Sequence, residues 1–180
     1  SEMCIRDRKM RAHNYRSKRG MVYTRKKYIK GTPNPRIVKF TTGVQDDGYD
    51  LILELKTKER VMIQDVALEA MRVTLNRNLG RLLGEKTYQF TIVAYPHHVL
   101  RENRMMTGAG ADRLQEGMRR GFGKIMGRAA DLKKDQTIIA VKIFKEKVDL
   151  ARKALITTAS KVPKGAYVSV VDTESGITNS

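Results

Sequence analysis

Apolar positions in the middle of the chain recur at two clean periods. Leu51, Leu53 and Leu55 fall on one face of an extended segment, so Tyr49–Leu55 is predicted as a half-buried strand after the turn Asp46-Asp47-Gly48. Tyr88, Phe90, Ile92 and Ala94 repeat the two-residue spacing and predict a strand over Tyr88–Tyr95. Between them, Leu68, Met71, Leu75 and Leu79 recur at helical spacing. They predict a helix that Asp65 caps and Gly80 stops. Shorter strands are expected at Arg36–Thr41 and Arg60–Ile63, and further ones at Thr137–Phe144 and Ala166–Val171. Val148, Ala151, Leu155 and Val162 mark a helix that Pro163 ends. Residues 96–111 are polar, basic and glycine-bearing and read as a long loop. Asp112 with Gln115 then resembles a capping box for a helix carrying Leu114, Met118 and Phe122. The sum is an α+β domain: a mixed or antiparallel sheet sandwich with two to three helices, a basic N-terminal arm and a long basic internal loop.

Charge changes the picture more than length does. The chain of 180 residues carries 36 lysines and arginines against 19 acids, a formal net charge of +17. Residues 1–30 hold 11 basic and 2 acidic side chains, and residues 101–134 hold 9 and 4. Residues 31–100, by contrast, hold 9 and 8. A nearly neutral body with two basic segments is the footprint of a nucleic-acid binder and argues against a generic metabolic enzyme. Hydrophobic residues make up 41% of the chain, which excludes full disorder. No apolar run approaches the ~20 residues of a membrane span. The single cysteine, Cys4, excludes an intramolecular disulfide and a Cys-cluster zinc site, and fits a reducing, cytoplasmic setting.

The first basic segment interleaves cations with tyrosines: Arg11, Tyr15, Arg16, Lys18, Arg19, Tyr23, Arg25, Lys26, Lys27, Tyr28 and Lys30. Cations neutralise phosphates, and tyrosine rings stack on splayed bases, so residues 10–35 read as an RNA-binding arm ordered by its partner. The body spans 36–171 as one domain, with a flexible tail over 172–180. In the second basic segment, Gly108-Ala109-Gly110 lacks the Gly-Lys-Ser/Thr of a phosphate loop, so no nucleotide cofactor is expected. His97 and His98 are adjacent and point to opposite sides of an extended chain, which denies them a shared metal ion. They read instead as RNA contacts or structural hydrogen-bonding groups, and Arg113, Arg119, Arg120 and Lys124 as further RNA contacts. No Ser/His/Asp or paired-carboxylate arrangement can be assembled, so no catalytic residue is assigned.

The segment Tyr23-Thr-Arg-Lys-Lys-Tyr-Ile-Lys-Gly31, then Ala67-Leu-Glu-Ala70, Tyr95-Pro-His-His-Val-Leu-Arg-Glu-Asn103 and Gly108-Ala-Gly-Ala-Asp-Arg-Leu-Gln-Glu-Gly-Met-Arg-Arg-Gly-Phe-Gly-Lys124 resemble one family. It is the universal large-subunit ribosomal protein family L-sixteen, L-ten-e in its archaeal and eukaryotic form, and the likeness runs from about Met10 to about Val171. The resemblance implies a non-enzymatic constituent of the large ribosomal subunit, of archaeal rather than eukaryotic type. It implies binding to large-subunit ribosomal RNA near the aminoacyl-tRNA site, beside neighbouring ribosomal proteins. Arg101, Asn103, Arg104, Met105, Met106, Gly108 and Gly110 would face the tRNA ends and the peptidyl-transferase centre. No cofactor, membrane or small-molecule substrate is implied. Residues 1–9 have no counterpart in the family and read as an extension. The other classes that the basic arm allows are a free RNA chaperone and an RNA-modifying enzyme.

Overall fold

The computed structural model describes residues 15–17, 20, 22, 26–46, 48–84, 87–103, 117–119 and 121–172. Among these residues eight strands and two α-helices follow in order: β1 Thr41–Gly43, β2 Leu51–Thr57, β3 Val61–Gln64, α1 Asp65–Leu83, β4 Tyr88–Ile92, β5 His98–Glu102, β6 Lys124–Leu132, β7 Thr137–Ile143, α2 Val148–Ala159 and β8 Ala166–Asp172. They form a five-stranded sheet in the order β1-β4-β7-β2-β8 and a three-stranded sheet in the order β3-β6-β5. Every pairing among the described residues is antiparallel, so the fold is α+β with two antiparallel sheets and no mixed one.

The core follows from the alternation. In β2, Leu51, Leu53 and Leu55 are buried, and Leu53 lies opposite Val141 of β7 and Val170 of β8. Phe90 of β4 faces Val141 from the other side and is fully buried. Leu68, Met71, Leu75 and Leu79 of α1 and Leu155 of α2 close the same core. The three-stranded sheet is covered on both faces. Val61, Ile63, Ala130 and Leu132 belong to the main core, whereas Met62, Leu100 and Ala129 form a second cluster on the opposite side. Tyr15 and Val22 of the arm pack against that second cluster. Arg16 also accepts a hydrogen bond from the Met62 N–H at 3.1 Å, on the free edge of β3. The arm, expected to be ordered by its RNA partner, therefore already packs against the body in its described part.

Several expected boundaries move. Residues 36–40 form no strand, and two of their N–H groups go to side chains of α1. Arg36 donates to Asp65 Oδ2 at 3.1 Å and Val38 to Glu69 Oε2 at 3.3 Å. Gln64, not Asp65, stands at the N-cap of α1, and the Asp65 carboxylate holds the Val66 N–H as well. Gly80 lies inside the helix because Leu79 and Leu83 continue the buried face, and the stop falls at Gly84 in a left-handed conformation with φ 87°. The strand expected over 88–95 ends at Ile92. Part of the expected loop 96–111 is β5, and β6 was not anticipated at all. Residues 117–119 and 121–122 are turns, so the helix expected through Met118 and Phe122 is absent there.

The pairing of Glu69 with Arg72 makes the 36–38 segment acid-sensitive. Arg72 Nε and Nη2 donate to the two carboxylate oxygens at 2.9 and 2.7 Å. This contact, with help from the Val38 N–H, holds the Glu69 carboxyl below its ordinary pKa despite partial burial. A depressed folded-state pKa gives stability that is present above the unfolded value, about 4.3 for glutamate, and lost as pH falls through the folded one. The Val38 amide resonance should therefore titrate with a midpoint below about 4.3, and Glu69→Gln should abolish that titration. A midpoint at or above the ordinary value would contradict the geometry.

Candidate nucleic-acid interface

Three separate stretches of chain converge beside the second cluster. The arm contributes a single 3-10 turn, Lys26–Tyr28. The end of β5 contributes Arg101, and the turn before β6 contributes Phe122. The Arg101 guanidinium lies 4.0 Å from the centre of the Phe122 ring, and its Nη1 donates to the Phe122 carbonyl at 3.1 Å. Tyr28 meets the same ring edge-on at 6.3 Å, and Lys27 Nζ sits 5.0 Å from the centre of the Tyr28 ring. Cation, ring, ring and cation thus form one continuous row. Tyr28 is 57% exposed and Phe122 43%, so both rings remain open to a partner.

The row borders a groove of about 550 Å³ between the arm and β5, walled by Tyr15, Ser17 and Val22 on one side and by Leu100, Arg101, Glu102 and Asn103 on the other. Its lip depends on Gly123, whose φ of 78° and close approach to Glu102 admit no side chain. Tyr15 donates to Gln64 Oε1 at 3.3 Å, and burial, followed by the charge of Asp65, raises its pKa, so the hydroxyl keeps its proton. Across the sheet, Arg128 reaches Thr32 Oγ1 at 2.8 Å and the Tyr95 hydroxyl at 3.4 Å, while Tyr95 stacks on Phe40 at 5.5 Å. These contacts tie the turn after the arm to β6.

The expected residues divide accordingly. Lys27, Tyr28 and Arg101 meet in the row, and Tyr15 and Asn103 line the groove. Arg16, Lys30, Arg119 and Lys124 are exposed. His98 is buried and His97 exposed, on opposite sides as expected, and His97 Nδ1 donates to the Tyr95 carbonyl at 3.2 Å. Arg101 belongs to a strand rather than to the expected loop, which changes it from a loose contact to a fixed one. Arg11, Lys18, Arg19, Tyr23, Arg25, Arg104, Met105, Met106, Gly108, Gly110, Arg113 and Arg120 lie outside the described residues, as does the side chain of Lys26. Sequence reasoning missed Phe122 and Arg128. The glycines at 117, 121 and 123 were the available signal for Phe122, because they forbid the helix that would have buried it. Arg128 sits on the unanticipated strand β6 and had no signal.

These features define a small, basic α+β protein whose arm, sheet edge and glycine turn meet at one cationic, aromatic-rimmed groove. The chain belongs to the family described as Ribosomal protein L16p/L10e, whose pattern matches residues 18–168. Similar relatives carry the name large ribosomal subunit protein uL16. That of Hyperthermus butylicus is 47% identical over 152 residues, covering 84% of each chain. That of Staphylothermus marinus is 47% identical over 149 residues, covering 83% of this chain and 86% of its own. That of Saccharolobus solfataricus is 44% identical over 159 residues, covering 87% and 89%.

Proposed function

We infer that the protein is a structural, non-enzymatic constituent of the large ribosomal subunit, and that it binds ribosomal RNA near the aminoacyl-tRNA site in the cytoplasm. Family membership supports the ribosomal role. The observation that carries the RNA contact is the row Lys27–Tyr28–Phe122–Arg101, which joins the arm to the basic segment after β5. Cations placed beside exposed rings suit a backbone phosphate with a neighbouring base. On this reading residues 10–35 anchor the body to ribosomal RNA beside neighbouring ribosomal proteins. Arg101, fixed at the end of β5, would face tRNA together with Asn103, Arg104, Met105, Met106, Gly108 and Gly110.

The two roles separate by substitution. Replacing Arg16, Lys26 and Lys27 together with alanine removes phosphate contacts from the anchor and should lower occupancy on large subunits washed in high salt. Arg101→Ala should leave occupancy near normal, because one contact among many contributes about 1–3 kcal/mol. It should still slow peptide synthesis, because it frees the root of the loop at a site where ~1 Å matters. Occupancy is read by co-sedimentation and mass spectrometry, and synthesis with purified ribosomes carrying each variant. Failure of the unaltered chain to co-sediment with large subunits would refute the ribosomal reading. Normal synthesis by fully occupied Arg101→Ala ribosomes would refute the tRNA-facing part.

A further inference from the structure

The rim of the groove serves the proposed contact, but its interior has a chemistry of its own. Met62 and Leu100 give it an apolar floor, and the Arg101–Phe122 stack gives it a flat wall. Asn103 lines it and holds a buried Nδ2 with no hydrogen-bond partner among the described residues. A buried amide donor calls for an acceptor. The volume of about 550 Å³ falls among small-ligand sites. A phosphate fits the interior poorly, since Glu102 puts a carboxylate in the wall. A flat ring with apolar faces and acceptor atoms along one edge fits both features.

We propose that this groove receives one unstacked base of the bound RNA, which accepts a hydrogen bond from Asn103 Nδ2 and lies against the Arg101–Phe122 stack. The proposal rests on the RNA-binding reading above. Guanidinium planes and aromatic rings are the surfaces on which splayed bases stack, and bulges and loops are where RNA can present them. Lys27, exposed beside Tyr28, and Lys124, exposed and paired with Glu102 across β5 and β6, would then neutralise the flanking phosphates.

The test compares probes with and without a base on the full-length, isotope-labelled chain. Adenosine and uridine monophosphate should shift the Asn103 side-chain amide and the Leu100 resonances, whereas ribose 5-phosphate should shift only rim residues. Asn103→Ala should erase the base-dependent shifts. It should also weaken binding of a bulged RNA about tenfold, the loss of one well-formed hydrogen bond, and leave an unbulged duplex unaffected. Ser17→Phe, which fills the groove from the arm side, should act in the same direction. If either variant misfolds, the comparison of probes on the unaltered chain decides by itself. Equal shifts from all three probes would overturn the proposal. So would larger shifts at Asn103 from N-acetyltyrosine amide, which would mark a protein side chain as the occupant. A chain that binds ribosomal RNA yet shows no base-dependent shift refutes the pocket and leaves the RNA reading standing. A chain that binds no ribosomal RNA refutes both.

Discussion

Raising the salt from 50 to 200 mM should cut the affinity of the purified chain for ribosomal RNA by roughly 10³–10⁵, if six to ten phosphates are engaged. The reason is the placement of charge rather than its amount. Arg16, Lys27, Lys30, Arg119 and Lys124 are exposed, and residues 1–30 alone hold 11 basic side chains against 2 acidic ones. Each neutralised phosphate releases condensed counterion, so the logarithm of affinity falls linearly with the logarithm of salt. Filter binding or fluorescence anisotropy over that range gives the slope. The Arg16, Lys26 and Lys27 alanine variant should lower the slope by about two to three phosphate equivalents, each worth ~0.7–0.9. A nearly flat response would mean that stacking and hydrogen bonds dominate, and the arm would lose its role as anchor.

The second large effect is on the fold. Gly123→Ala should destabilise the protein by about 2–5 kcal/mol, adding a left-handed backbone penalty of ~1–2 to a steric penalty of ~1–3. At φ 78° an added Cβ would lie 2.7 Å from the Glu102 carbonyl carbon and 2.8 Å from both the Glu102 oxygen and the Asn103 nitrogen. All three are backbone atoms of the β5 end and cannot turn aside as a side chain would. For a domain of this size the loss corresponds to about 4–20 °C in Tm. Gly117→Ala is the matched control, since Gly117 has φ 59° but nothing within 4 Å of the added carbon. It should show the conformational penalty alone. Equal melting temperatures for the two variants would show that the close approach of β5 and the Gly123 turn contributes nothing. Because Glu102, Asn103 and Phe122 flank that approach, Gly123→Ala should also open the groove.

The elements that were legible in the sequence are those whose environment is one-sided. In β2 the alternation of Leu51, Leu53 and Leu55 reads directly, because one face meets the core and the other carries Glu54 and Lys56. The helical spacing of Leu68, Met71, Leu75 and Leu79 in α1 reads equally well. Strands β5 and β6 lack that asymmetry. In β6 Ala129 faces the arm while Ala130 faces the main core, and in β5 Val99 and Leu100 are both buried, so apolar residues run consecutively and no period emerges. Arg101, Glu102 and Lys124 at the strand ends look like loop residues, and only pairing across the sheet makes them extended. At residues 36–40 the alternation is present, with Ile37 buried and Val38 exposed. The Arg36 and Val38 N–H groups go to carboxylates of α1, and only the Phe40 carbonyl meets β4, through the Ile92 N–H.

The candidate site was legible by composition and not by arrangement. Counting cations located both basic segments, but no local pattern announces that Lys27, Tyr28 and Arg101 meet over Phe122. The spacing of Leu114, Met118 and Phe122 imitates a helix face. Gly117 and Gly123, both with positive φ, decide against the helix between 117 and 123, and Met118 stands 75% exposed as a result. Turn chemistry outweighed periodicity there.

The contact of the arm with β3 couples assembly to stability. Tyr15 and Val22 cover an apolar face, and the Arg16 carbonyl satisfies an edge N–H of the three-stranded sheet. An uncovered edge of that kind is a template for pairing with another chain. The same short segment points cations outward and completes the sheet inward. Any RNA that grips Arg16 and Lys27 with the arm in place therefore stabilises the body by mass action, since the docked arm exists only in the folded chain. Any RNA geometry that peels the arm away must give back the cost of a bare sheet edge. The body thus selects, through its own folding equilibrium, the RNA surfaces on which the arm can stay docked.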